Sequence, residues 1–138
     1  PLWRHLINYR CGTGHSVSFV GNVHEGPHAL NGRNTTLMRP GMIVTDEPGV
    51  YETDLVGIRI ENELVCVHKA DNQYGTFLGF EPIMFVPIAT SPVVPGVLTR
   101  DELDWLNAYH REVFTKLAPR LTEEERDWLA KKCAAIGA

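Results

Sequence analysis

The sequence has no excess of positive charge, no long apolar run and few cysteines. Its 13 basic and 17 acidic side chains leave a formal net charge of −4. A nucleic-acid binder carries a basic stripe, so no nucleic-acid partner is expected. No stretch approaches the ~20 apolar residues that a spanning helix needs, so no membrane partner is expected either. The opening residues Pro1, Leu2, Trp3 and Arg4 do not build the apolar core of a secretory signal. The three cysteines, Cys11, Cys66 and Cys133, are odd in number and form no C-x-x-C pair. That argues against a disulfide framework and a thiolate zinc site, and points to a reducing, cytoplasmic setting. The first residue is not Met, and the first recognisable motif arrives by residue 11. The chain is therefore expected to begin inside a larger protein.

What is present is an ordinary folding composition. Hydrophobic residues make up 43% and charged residues 22%, which excludes a disordered chain. Residues 12–27 are punctuated by glycine, and Val17 and Phe19 alternate with Ser16 and Ser18, which predicts a strand between turns. Residues 28–40 read as a loop. Residues 42–47 are rich in β-branched side chains and stop at Pro48-Gly49, as a strand would. Residues 57–68 give the clearest strand, with Ile58 and Ile60 on one face and Arg59, Glu61 and Glu63 on the other. Residues 77–88 predict one more strand, interrupted by Pro82.

After a proline-punctuated connector at 89–97 the pattern becomes helical. Thr99 and Glu102 have capping-box spacing, and Leu103, Leu106, His110, Val113 and Leu117 recur at helical intervals. Pro119 should end that helix. Thr122 and Glu125 repeat the capping box ahead of Trp128, Leu129, Cys133 and Ile136, with Gly137 as the expected C-cap. Strands first and a helical hairpin last predict an α+β fold.

Three segments offer metal-ligand chemistry: His15 in GTGH, Glu47 in TDEPG and Glu61 in RIEN. Two carboxylates on neighbouring strands plus an imidazole suit Mn²⁺ or Zn²⁺. Arg59 shares a strand face with Glu61 and can orient a carboxylate. The plain alternative stays open on spacing alone. Glu61 beside Arg59 is also what a solvated ion pair looks like, and His15 and His24 are also what turn histidines look like.

GTGHSVSFVGNVHEGP, RPGMIVTDEPGVY and GIRIENELV, in this order, resemble the catalytic domain of aminopeptidase P. That family is the Xaa-Pro branch of the creatinase and methionine aminopeptidase superfamily. The tail LTRDELDWLNAYHREVFTKLAP resembles the C-terminal extension of its longer members. The resemblance implies the C-terminal half of a pita-bread fold: a curved antiparallel sheet over residues 1–88 and a helical extension over residues 89–138. It implies a metal-dependent aminopeptidase that hydrolyses the N-terminal Xaa-Pro bond, with Mn²⁺, Zn²⁺ or Co²⁺ as cofactor. His15 and Glu47 match ligands of one metal, and Glu61 matches the carboxylate shared by two. His24 matches a histidine that contacts substrate and moves protons, and Arg59 matches the arginine that braces the carboxylates.

The chain departs from the pattern in three places. The two aspartate ligands of the family come from a more N-terminal stretch, so the isolated chain is expected to be inactive. Cys11 stands where many relatives place a substrate-pocket histidine, and Ser16 replaces a glycine. The resemblance also implies a homodimer, a peptide substrate with proline at its second position, and a complementary N-terminal half as a further partner. Two other readings fit less well: a non-catalytic pita-bread binding module and a prolidase-type dipeptidase.

Overall fold

A computed structural model describes residues 2–94 and 96–137. The chain divides into two compact units, one ending at Met84 and one beginning at Phe85.

Every strand of the first unit pairs antiparallel. β1 (Gly14–His15) pairs with β2 (Ala29–Leu30). β3 (Ile43–Asp46) pairs with β6 (Asn62–Asn72), which pairs in turn with β7 (Gly75–Pro82). β4 (Gly49–Glu52) pairs with β5 (Val56–Arg59). The last ladder continues the β3–β6 register. Asp46 stands opposite Asn62 and Gly49 stands opposite Arg59. Stepping one residue along each strand leaves only Glu47 facing Glu61 and Pro48 facing Ile60. The two ladders are thus one long hairpin with a two-residue gap. Pro48 has no N–H to give to a ladder, which accounts for a break at that position.

This gap corrects the expected continuous strand over 57–68, which stops at Arg59 and resumes at Asn62. Its supposed apolar face is also open, with Ile58 and Ile60 both about half exposed. The strand expected over 12–27 shrinks to Gly14–His15. Phe19 is fully exposed, so its alternation with serines has no partner sheet to pack on. The loop expected over 28–40 contains the short β2. The strand expected over 77–88 runs instead from Gly75 to Pro82. Buried Val44 and Cys66, at 0% and 1% exposure, are the apolar centre of this unit, with polar Ser16, His28 and Thr45 also buried.

The second unit holds α1 (Arg100–Leu117), a short 3-10 turn (Ala118–Arg120) and α2 (Glu123–Lys132). Both capping boxes form. The Thr99 hydroxyl accepts from the Glu102 N–H while the Glu102 carboxylate accepts from the Thr99 N–H, and Thr122 and Glu125 repeat the arrangement. Tyr109, Val113 and Leu129 form the core, with Phe85, Ile88, Phe114 and Leu117 packed against it. Tyr109 also ties down the segment ahead of the connector, donating its hydroxyl proton to the Val86 carbonyl at 2.9 Å. Gly137 is not the helix cap. α2 ends at Lys132 with Cys133 as its C-cap, and Gly137, at φ +69°, lies against Leu103. Trp128, expected on the apolar stripe, is 56% exposed.

Candidate metal centre

The centre grows from an unusually close contact between two backbones. A Cβ built on Gly14 would lie 1.7 Å from the Thr45 carbonyl oxygen, so only glycine lets β1 settle on β3 there. Three further contacts fix this segment. The Glu47 N–H donates to the Thr13 carbonyl at 2.6 Å. The His15 N–H donates to Thr45 Oγ1 at 3.0 Å, and Ser16 bridges to Val44. His15 and Glu47, 32 residues apart in sequence, thereby meet: His15 Nε2 lies 3.0 Å from Glu47 Oε1.

Each partner is oriented from behind. Nδ1 of His15 lies 2.9 Å from the Ser16 carbonyl. Donation there is the only bond a carbonyl accepts, and it leaves Nε2 with its lone pair facing Glu47 in the neutral ring. Glu47 Oε1 already accepts from the Thr45 hydroxyl at 2.9 Å, and Oε2 accepts from Arg59 Nη1 at 2.6 Å. Two lone pairs 3.0 Å apart require a cation, proton or metal, between or beside them. The side chains of His15, Glu47 and Arg59 are 19%, 12% and 34% exposed, so the pair is sheltered yet reachable. The His24 ring packs on the His15 ring with centroids 3.9 Å apart.

Arg59 is held from several sides. A hydrogen bond with the Cys11 side chain raises its pKa above the usual value, and Tyr51 and Glu47 add to the shift. Its guanidinium lies 5.6 Å from the centre of the Tyr51 ring. The Cys11 thiol donates to the Gly49 carbonyl at 3.3 Å, and Gly49 is the strand partner of Arg59. Cys11 also lines a cavity of about 570 Å³ together with Tyr9, Arg10, Tyr51 and Glu52. Asp46 closes β3 directly before Glu47, and burial raises its pKa.

The structure therefore brings together His15, Glu47, Arg59 and His24, with Cys11 beside Arg59. Glu61 is exposed in the gap of the hairpin, and its backbone position faces Glu47. Among the described residues no group of three or more His, Cys, Asp and Glu side chains stands ready to hold a metal ion. The donor chemistry fits a divalent cation, with a borderline imidazole and a hard carboxylate, each braced from behind. The chain's own assembled share is two donors.

Sequence reasoning missed Thr45 and Gly14. Thr45 had a signal, since it lies two residues before Glu47 on one strand and so shares its face. Gly14 had none beyond its type.

Residues 1–68 match the model of metallopeptidase family M24, and residues 76–136 match that of the C-terminal region of peptidase M24. The chain belongs to metallopeptidase family M24. It is 47% identical to aminopeptidase P2 of Arabidopsis thaliana over 93% of its own length and 19% of that protein. It is 41% identical to a probable Xaa-Pro aminopeptidase P of Coprinopsis cinerea over 98% of its length and 23% of that protein. Among solved structures it matches X-prolyl aminopeptidase of Caenorhabditis elegans, described as a cytosolic enzyme with a di-nuclear active site. That match has a TM-score of 0.87 at 37% identity and covers 98% of this chain and 23% of the other. The fold is accordingly the C-terminal half of a pita-bread domain with its helical extension. The chain spans about a fifth of the length of the curated relatives it matches.

Proposed function

We propose that this chain is the His-Glu-Glu part of a metal-dependent Xaa-Pro aminopeptidase. The observation that carries the reading is the His15–Glu47 pair, Nε2 to Oε1 at 3.0 Å, with each partner oriented from behind. Residues 1–88 supply the catalytic half and residues 89–138 the helical extension. His15 and Glu47 would hold the divalent metal, together with Glu61, whose backbone position faces Glu47 across the gap. Mn²⁺ is the first candidate, with Zn²⁺ and Co²⁺ next. Such ions lower the pKa of water and polarise a scissile carbonyl.

The chain's own residues prepare that chemistry. Arg59 fixes the second oxygen of Glu47 and leaves the first directed at His15. His24, packed against the His15 ring at a tilt, contacts the substrate and carries protons at the edge of the site. Cys11 lines the substrate side of the cavity beside Arg59. The substrate is a peptide with proline at its second position. The remaining donors come from a complementary N-terminal half, the whole works in the cytoplasm, and the assembled protein is a homodimer.

The 138-residue chain alone should bind at most one ion weakly and turn over no peptide. The test uses the full-length protein, stripped with chelator and reloaded with Mn²⁺. An Xaa-Pro peptide should be cleaved and its Xaa-Ala counterpart left intact, and Glu61→Ala should remove most of the activity. Full turnover by remetallated Glu61→Ala would overturn the assignment of Glu61.

One observation favours a second reading, a non-catalytic binding module. Among the described residues only two donors converge. A full-length protein that binds no divalent ion would favour that reading.

A further inference from the structure

The hydroxyl of Thr45 sits at the junction of the two segments that carry the candidate metal donors. Thr45 is 2% exposed, too buried for water to replace its contacts. It has one proton to give and gives it to Glu47 Oε1 at 2.9 Å. It accepts the His15 N–H at 3.0 Å. The His15 N–H is one that a sheet would ordinarily pair with a carbonyl. Here the carbonyl of Thr45 is the atom that presses on Gly14, and the side chain of the same residue takes the N–H instead.

We propose that Thr45 is a positioning residue, whose single hydroxyl sets the distance and direction between His15 Nε2 and Glu47 Oε1. The inference rests on reading this pair as metal donors. The geometry has a consistent logic. Arg59 holds Oε2 of Glu47 and by itself leaves the carboxylate free to swing about that contact. The Thr45 hydroxyl holds Oε1 and removes the swing. Because the same oxygen also receives the His15 backbone, a movement of β1 relative to β3 is felt at the carboxylate. One atom thus couples backbone spacing to donor geometry. Neither the Arg59 contact nor the Ser16 contact to His15 Nδ1 makes that link. Removing a group that orients metal ligands typically weakens metal affinity by about 10–100-fold.

The test compares Thr45→Val, which keeps the branched shape and loses the hydroxyl, with Thr45→Ser, which keeps the hydroxyl. Both are made in the full-length protein that carries this sequence. Crystal structures of the metal-free variants give the first readout. In Thr45→Val the His15 Nε2 to Glu47 Oε1 separation should open beyond about 3.6 Å, where no hydrogen bond remains. In Thr45→Ser it should stay at hydrogen-bonding distance. An unchanged pair in Thr45→Val overturns the proposal. Should Thr45→Val fail to fold, Thr45→Ala removes the same hydroxyl with less bulk and is read the same way.

Calorimetric titration with Mn²⁺ gives the second readout. Affinity should fall at least about tenfold in Thr45→Val and recover in Thr45→Ser. Equal affinity in wild type and Thr45→Val also overturns the proposal. Wild type that binds no Mn²⁺ sinks the metal reading instead, and the crystal structures then still decide the role of Thr45 in holding the pair.

Discussion

Arg59 reaches across the gap in the hairpin and donates to Glu47 Oε2 at 2.6 Å, from a strand position opposite Gly49. Arg59 thereby braces the carboxylate. The Tyr51 ring lies beside it, 5.6 Å from the guanidinium, and packs over Gly49, where an added Cβ would meet the ring at 2.7 Å.

That brace gives the first prediction. In the full-length protein Arg59→Ala should weaken divalent-metal affinity by about 10–100-fold. Arg59→Lys should recover little of it, because a single ammonium does not reproduce the planar fork. Calorimetric titration with Mn²⁺ checks both. Affinity within twofold of wild type in Arg59→Ala would show that the contact does not orient Glu47.

Gly14→Ala should destabilise the first unit. The new methyl would lie 1.7 Å from the Thr45 carbonyl oxygen, so β1 must move away from β3. Overpacking of this kind costs about 1–3 kcal/mol. Urea unfolding measures the cost. The same shift should lengthen the contact between the His15 N–H and Thr45 Oγ1, visible as faster exchange of the His15 amide.

The second unit should lose stability in mild acid. His110 is 0% exposed and accepts the Ile88 N–H at Nε2, 3.1 Å away. Burial lowers its pKa below the ordinary 6.5. The unfolded chain then binds the proton more readily than the folded one. This contribution to stability is fully present above about pH 6.5 and is lost as pH falls through the lower folded value. Thermal unfolding followed by tryptophan fluorescence at pH 8 and pH 5 measures the loss. His110→Gln keeps an acceptor for Ile88 and should flatten that pH dependence.

Two neighbours on α2 should respond very differently to truncation. Leu129 is 2% exposed within the core, whereas Trp128 is 56% exposed. Leu129→Ala should cost about 2–5 kcal/mol. Trp128→Ala should cost less than about 1 kcal/mol, mainly the contact of its ring with Lys132. Denaturant midpoints of the two variants, with equal slopes, decide the matter. A larger loss for Trp128→Ala would mean that the α2 face packs otherwise.

Much of the second unit was legible in advance, because its signals are local. Thr99 with Glu102 and Thr122 with Glu125 lie within one turn of each other, so each capping box follows from spacing and hydrogen-bond reach alone. Tyr109 was missed because its partners, Val86 and the Leu129 core, lie far away in sequence. Gly137 misled for the same reason. A glycine that follows an apolar run reads as a cap, and only the return of the tail onto Leu103 shows another use.

In the first unit the sequence by itself determined the donor types, the two-residue period that turns Thr45 and Glu47 to one side, and the family through the order of its motifs. It also carried Pro48, which cannot join a ladder. Only the tertiary structure decided that His15 meets Glu47 across 32 residues, that a gap and not a continuous strand separates Arg59 from Asn62, and that Gly14 is a point of backbone contact. The physical reason is range. Periodicity and capping act over a few residues along one element. The distance between an imidazole and a carboxylate on different strands is set by register and by backbone approach, and both come into being only when the strands pair.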